Sequence, residues 1–276
     1  MTTQRELPQT KNPHAHQIVL AHGGGGQLTD ELLAEVVRPR VDNPTLSVLD
    51  DSAVVDVPAS QLAFTTDSYV VRPLEFPGGD IGRLAVSGTV NDLAVCGAEP
   101  IGISLSLILE EGLELDLLRR ILDSVGQTAQ EAGVPVITGD TRVVARGQAD
   151  GLYINTAGIG IVRAHRNLGI EQIRPGDVVL INGPIADHGL AVMLSRDEEI
   201  SISSELRSDA APLNALIAPL VDQLEGLVFM RDPTRGGLSG VLADLAEKSG
   251  WHLTCDENEI PVRPETRYAA ELLGLE

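Results

Sequence analysis

Aspartates recur in this chain where apolar runs stop. Asp50 and Asp51 follow SVL, Asp67 follows AFTT, Asp92 follows Asn91, and Asp140 follows VITG. Carboxylates gathered on one rim repel each other unless cations sit between them. Hard oxygen ligands suit Mg2+, which commonly also takes phosphate oxygens and water. The chemistry such a set could do is metal-bridged phosphate binding, with Mg2+ and a nucleotide as the expected occupants. Taken singly, each aspartate fits a helix cap or the opening of a turn equally well; their recurrence is what favours a shared site.

Two glycine loops add backbone donors. HGGGGQ holds His22, Gly23, Gly24, Gly25 and Gly26, and RDPTRGG holds Asp232, Gly236 and Gly237 between Arg231 and a following helix. Free N–H groups and a helix dipole at such places favour an anion. Neither loop carries the Gly-Lys-Ser/Thr of a Walker loop or the GxGxxG pattern, and a tight turn that needs positive φ explains each as well. Arg231 and Arg235 could pair with phosphate or with Asp232. His188 in GPIADHG could transfer a proton or simply be solvated. Cys96 is expected to be a small packed thiol. Asp56, Glu110, Glu111 and the run at 196–199 read as solvated faces.

The elements that must position these groups follow from periodicity. QIVLA reads as a short strand, and LTDELLAEVVRPRV as an amphipathic helix ending near Pro39. SVLDDSAVVDV and QLAFTTDSYVV read as strands, followed by a helix over about 81–98 and an extended segment PIGISLSLILEEG. The helix LELDLLRRILDSVGQTAQEAG closes on Gly133, a natural C-terminal cap. VPVITGDTRVV and GLYINTAGIGIV are two further strands split by a polar turn. A break at RAHRNLGIEQIRPGD separates two α/β domains. The first spans residues 46–165 and the second 172–276, preceded by a flexible arm over 1–16 and a glycine loop with its helix over 17–45. In the second domain, DVVLING, LVFM and HLTCDE are expected strands that alternate with helices in a layered α/β arrangement.

Composition excludes several classes. The chain has 276 residues, enough for two domains. Its 20 basic against 40 acidic residues give a net charge of -20, which opposes nucleic acid and anionic membrane as partners. A bound nucleotide would therefore need local neutralisation by amides, arginines or metal ions. Cys96 and Cys255 are far apart and form no CxxC pair, so a cytoplasmic protein with reduced thiols is expected. No apolar run approaches the roughly 18 residues needed to cross a bilayer, and the polar first residues lack the apolar core of a signal peptide.

In order along residues 17–276, the segments FPGGDIGRLAVSGTVNDLAVCGAEP, LILEEG, VITGDTRVV, GLYINTAGIG, IRPGDVVLINGPIADHG, ELRSDAAPLN and RDPTRGGL resemble the HypE family, carbamoyl dehydratases of nickel–iron hydrogenase maturation. TGDT together with RDPTRGG favours that family within the wider ATP-using PurM-like superfamily. The resemblance implies a two-domain PurM-like fold and a homodimer formed through the first domain's mixed sheet. It implies ATP and Mg2+ as cofactors, with Asp51, Asp67, Asp92 and Asp140 holding the metal and Asn91 beside them. His22 to Gly26 would close over the phosphates, with Asp232, Gly236 and Gly237 lining the nucleotide site. Arg142 stands where the family frequently has lysine, and it would steady phosphate beside Asp140. The implied reaction is dehydration of an S-carboxamide on the protein's own C-terminal cysteine to a thiocyanate, with HypF supplying the carbamoyl group and the HypC–HypD complex receiving cyanide. Family members run on to that cysteine, whereas this sequence stops at Glu276, so ATP binding is expected and self-acting dehydration is in question. Two alternatives stand beside this reading: another small-molecule kinase or synthetase of the superfamily, and a catalytically silent subunit that binds the maturation partners.

Overall fold

Strict alternation in LAFTTDSY gives strand β1 (Leu62–Tyr69), with odd-numbered residues half-buried and even-numbered ones exposed. The computed structural model describes residues 17–23, 27–44, 46, 61–163, 167–196, 206–234 and 236–275. After β1, the short ribbon β2 (Glu75–Phe76) and β3 (Gly79–Asp80) leads into helix α3 (Ile81–Val95). Asp80 starts that helix, accepting hydrogen bonds from the N–H groups of Gly82 at 2.7 Å and Arg83 at 2.9 Å. Strand β4 (Ala98–Glu110), helix α4 (Leu115–Ala132), β5 (Val136–Val144) and β6 (Leu152–Val162) follow. Helix α4 stops at Gly133, which takes the left-handed φ of 68°.

The sheet order is β1-β6-β4-β5. β4 and β5 run parallel, as their crossover through α4 requires, and the other pairs are antiparallel. One face packs on α3 and α4. Leu105, Leu107 and Leu109 of β4 meet Ile81, Val86 and Val90 of α3 and Leu118, Ile121, Leu122 and Val125 of α4 in one core. Leu107 is 1% exposed at the centre of this layer. Leu107→Ala is expected to cost about 2–5 kcal/mol in denaturant unfolding.

The N-terminal elements differ from the sequence reading. Gln17 makes a single bridge to Glu114, and Leu20–Gly23 form a 3-10 turn in place of a strand. The helix runs through Gln27–Leu32 (α1), a π-type stretch Leu33–Val37, and Arg38–Val41 (α2). The helix ends at Val41, near Pro39 as expected, and Pro39 sits in the first turn of α2, where a missing N–H breaks no essential bond. The strand expected at SVLDDSAVVDV lies outside the described residues.

Beyond β6 the chain forms α5 (Asp187–Leu194), α6 (Asn214–Gln223), α7 (Gly237–Ser249) and α8 (Pro264–Leu272). The three strands expected in this half are not formed, and among its described residues there is none. Val178 and Leu180 are 80% and 82% exposed. An apolar run becomes a strand only when a neighbouring backbone takes its N–H and C=O groups along its length; LVFM receives a single such bond, from the Gly169 N–H to the Val228 carbonyl at 3.0 Å. The mixed α/β class rests on the first half's sheet.

Residues 206–214 cross the outside of α3 and are clasped there. Asn91 donates to the Ala211 carbonyl at 3.0 Å and accepts from the Leu213 N–H at 2.7 Å. Arg83 Nε donates to the Ala210 carbonyl at 2.7 Å, and Asn214 donates to the Ala132 carbonyl at 2.8 Å. His188 Nδ1 and Ser208 Oγ lie 2.9 Å apart, with the His188 ring edge-on to Phe76.

Candidate functional site

Three of the predicted carboxylates meet where β1 and α3 face the loop before α7. Asp67 is on β1, Asp92 is in the last turn of α3, and Asp232 precedes the glycines that open α7. Thr65 donates to Asp92 Oδ2 at 2.8 Å, and Tyr69 donates to Asp67 Oδ2 at 3.0 Å. Alternation along β1 makes this possible, since residues 65, 67 and 69 share the face that looks at α3. Burial pushes the Tyr69 hydroxyl far above its usual range, so it keeps its proton and donates.

The electrostatics report crowded negative charge. Asp92 is raised to about 6, first by burial and then by the charges of Asp232 and Asp67, with the Thr65 hydrogen bond opposing. Asp232 is likewise raised, by burial first and with Asp67 adding, while Arg231 lowers it. Among the described residues no three His, Cys, Asp or Glu side chains by themselves form a metal-binding group. Mg2+ usually takes only one or two carboxylates and completes its shell with phosphate oxygens and water. Asp67 and Asp92 fit that donor set.

A pH dependence follows. A carboxylate near 3.9 when unfolded and about 6 when folded binds its proton more tightly in the folded state. Its stabilising contribution is present below about pH 4 and is lost as pH rises through about 6. Cation binding runs the opposite way, because it needs the charged form. Mg2+-supported ATP binding is expected to weaken as pH falls through about 6, measured by calorimetry across pH 5 to 8.

Asp140 and Arg142 are elsewhere. Both are exposed on β5, with Arg142 Nε 3.1 Å from Asp140 Oδ2. The register sets Ser68, Asn155, Ser106 and Asp140 in one row across the sheet, on the face away from α3. Asp67 points to the other face at the opposite end of that row, roughly 14 Å away across three strand spacings. The single rim expected for Asp67, Asp92 and Asp140 is therefore divided within one chain, by the strand order and by side-chain alternation. His22 lies with the β5 half: its turn packs on β5, and its Nδ1 accepts from the Val19 N–H at 2.9 Å. Gly23 ends that turn, while Gly24, Gly25, Gly26, Asp50, Asp51, Asp56 and Arg235 lie outside the described residues.

Gly236 and Gly237 have φ of 83° and 59°, so the RDPTRGG loop takes the left-handed turn that its glycines permit. The Asn91 amide, read as a nucleotide neighbour, is committed to the clasp on 211–213. Cys96 is exposed, contrary to the packed thiol expected, because it stands at the end of α3 where the helix leaves the sheet. Thr65 and Tyr69 escaped the sequence reading, although the period of two in TTDSY already placed them beside Asp67. No described helix is long and apolar enough to cross a membrane.

Comparison with known proteins identifies the family. Residues 49–162 match the family model "AIR synthase related protein, N-terminal domain", and residues 174–276 match its C-terminal counterpart. The chain is 44% identical over 263 residues to the carbamoyl dehydratase HypE of Rhodobacter capsulatus, covering 94% of this chain and 77% of that protein. A solved structure of the hydrogenase maturation protein HypE in complex with ATP superposes with a TM-score of 0.90 at 42% identity, over 94% of this chain and 76% of that one. HypE in a HypE–HypF complex superposes with a TM-score of 0.75 at 41% identity, over 91% of this chain and 80% of that one. The chain thus belongs to the carbamoyl dehydratase HypE family.

Proposed function

We propose that this chain is an ATP- and Mg2+-dependent carbamoyl dehydratase of nickel–iron hydrogenase maturation. The observation that supports it most directly is the pair Asp67 and Asp92, brought together on β1 and α3 with Asp92 half-buried beside Asp67. In the reaction, a cysteine S-carboxamide and ATP give a thiocyanate, ADP and phosphate. The amide oxygen is a poor leaving group until it is phosphorylated, after which phosphate departs as the nitrile forms. Mg2+ held by Asp67 and Asp92, with Asp51, would offset charge on the phosphates during transfer. Gly236 and Gly237 turn the loop so that backbone N–H groups at the start of α7 can face an anion.

The division of the site supports a homodimer. Asp140, Arg142 and the His22 loop sit at the β5 end of the sheet and the carboxylate trio at the β1 end, so a second copy supplies the half that one chain keeps apart. Phe64, 70% exposed on the outer face, gives that contact an apolar surface. HypF is the proposed carbamoyl donor, supported by the solved HypE–HypF complex, and the HypC–HypD complex is the proposed acceptor of cyanide, in the cytoplasm.

The test is the mass of a carboxamide-bearing C-terminal cysteine, on this chain continued to such a cysteine, after incubation with Mg2+ and ATP. Loss of one water with release of ADP and phosphate supports the reading. Phosphorylation of thiamine monophosphate with the carboxamide intact would replace it with a kinase.

A further inference from the structure

The geometry points to Tyr69 as a positioning residue for the metal site: its hydroxyl holds Asp67 in the orientation from which that carboxylate engages a phosphate-bound Mg2+. The inference rests on the reading of Asp67 as a metal-site residue given above. The phenol donates to Asp67 Oδ2 at 3.0 Å and so fixes the orientation of that carboxylate beside Asp92. A ligating carboxylate is commonly held by a hydrogen bond in this way.

The surroundings are shaped for that hydroxyl. Tyr69 is partly buried against the core, and its tip lies in a notch in α3 at Gly88. A Cβ added to Gly88 would sit 2.2 Å from the phenol oxygen and 3.2 Å from the ring carbon bearing it. A glycine inside a helix lowers its stability by roughly 0.5–1 kcal/mol relative to alanine, and here the missing side chain is what admits the phenol. Thr65 does the corresponding work for Asp92. Both carboxylates are thus steered by hydroxyls two residues from Asp67 on the same face of one strand.

The test separates this inference from the site on which it rests. ATP binding to the whole chain is followed by calorimetry over a series of Mg2+ concentrations for the native protein and for Asp67→Asn, Tyr69→Phe and Gly88→Ala. Tyr69→Phe removes one oxygen and keeps the packing ring. Gly88→Ala keeps both Asp67 and the phenol but drives them apart. Each is expected to raise the Mg2+ concentration needed for half-maximal ATP binding roughly tenfold or more, with the ligand-free melting temperature little changed for Tyr69→Phe. A merely structural tyrosine would lower the melting temperature and leave the Mg2+ requirement where it was, which overturns the inference. If Asp67→Asn abolishes the Mg2+ effect while both other variants match the native protein, Tyr69 has no positioning role although the metal site stands. If Asp67→Asn leaves the Mg2+ effect intact, the metal site falls and the role of Tyr69 with it.

Discussion

Asp92→Asn is expected to slow Mg2+-supported ATP turnover about a hundredfold or more while raising the melting temperature of the ligand-free protein. The two effects have one origin. Asp92 is half-buried beside Asp67 and Asp232, and its proton affinity is raised to about 6 by that burial and those charges. Asparagine keeps an acceptor for the Thr65 hydroxyl and removes the charge, so the repulsion in the empty site is relieved. It also removes a ligand that a cation needs, and a hundredfold corresponds to about 2.7 kcal/mol of lost transition-state stabilisation. Loss of both turnover and stability would instead show that Asp92 serves the packing of α3.

Arg263→Ala is expected to release α8 from α5. Asp187 opens α5 at 1% exposure, where it accepts a hydrogen bond from Thr266 and lies 3.1 Å from Arg263 Nε. A carboxylate taken out of water needs such partners, but Arg263 is half-exposed, so water screens this pair, and removing its charge while Thr266 stays bonded is expected to cost about 1 kcal/mol. Hydrogen exchange over residues 264–272 should accelerate roughly fivefold, at about 1.4 kcal/mol per factor of ten. The α3–α4 core should keep its protection, since Asp187 and Arg263 make no part of it. Equal acceleration in both places would mean that the halves unfold as one unit.

The sequence was most legible where local rules suffice. Period-two alternation placed β1, a 3/4 spacing of apolar residues placed α4, and Gly133 marked its end. The acids at the ends of apolar runs pointed to a cation site, and two of them, Asp67 and Asp92, do meet. What the sequence withheld is pairing. Nothing local says that β6 and β4 lie between β1 and β5, and that order is what carries Asp140 and Arg142 away from Asp67. Pairing also explains the second half, where Val178 to Leu180 have a strand's composition but no described partner to make them one. Asn91 shows the same limit at the level of a side chain. Its neighbour Asp92 suggested a ligand, yet its amide is engaged by a segment more than a hundred residues away.

That engagement is made almost wholly with main-chain atoms of the crossing segment. Arg83 and Asn91 contact the carbonyls of Ala210 and Ala211 and the N–H of Leu213, groups that any residue but proline would offer in the same conformation. Substitutions at Ala210 and Ala211 should therefore drift freely so long as the backbone path is kept. Asn91 has no such latitude, because an aspartate could accept but not donate and a leucine could do neither. The two sides of this contact carry unequal information: α3 fixes the identity of Asn91, while Ala210 and Ala211 contribute only their backbone.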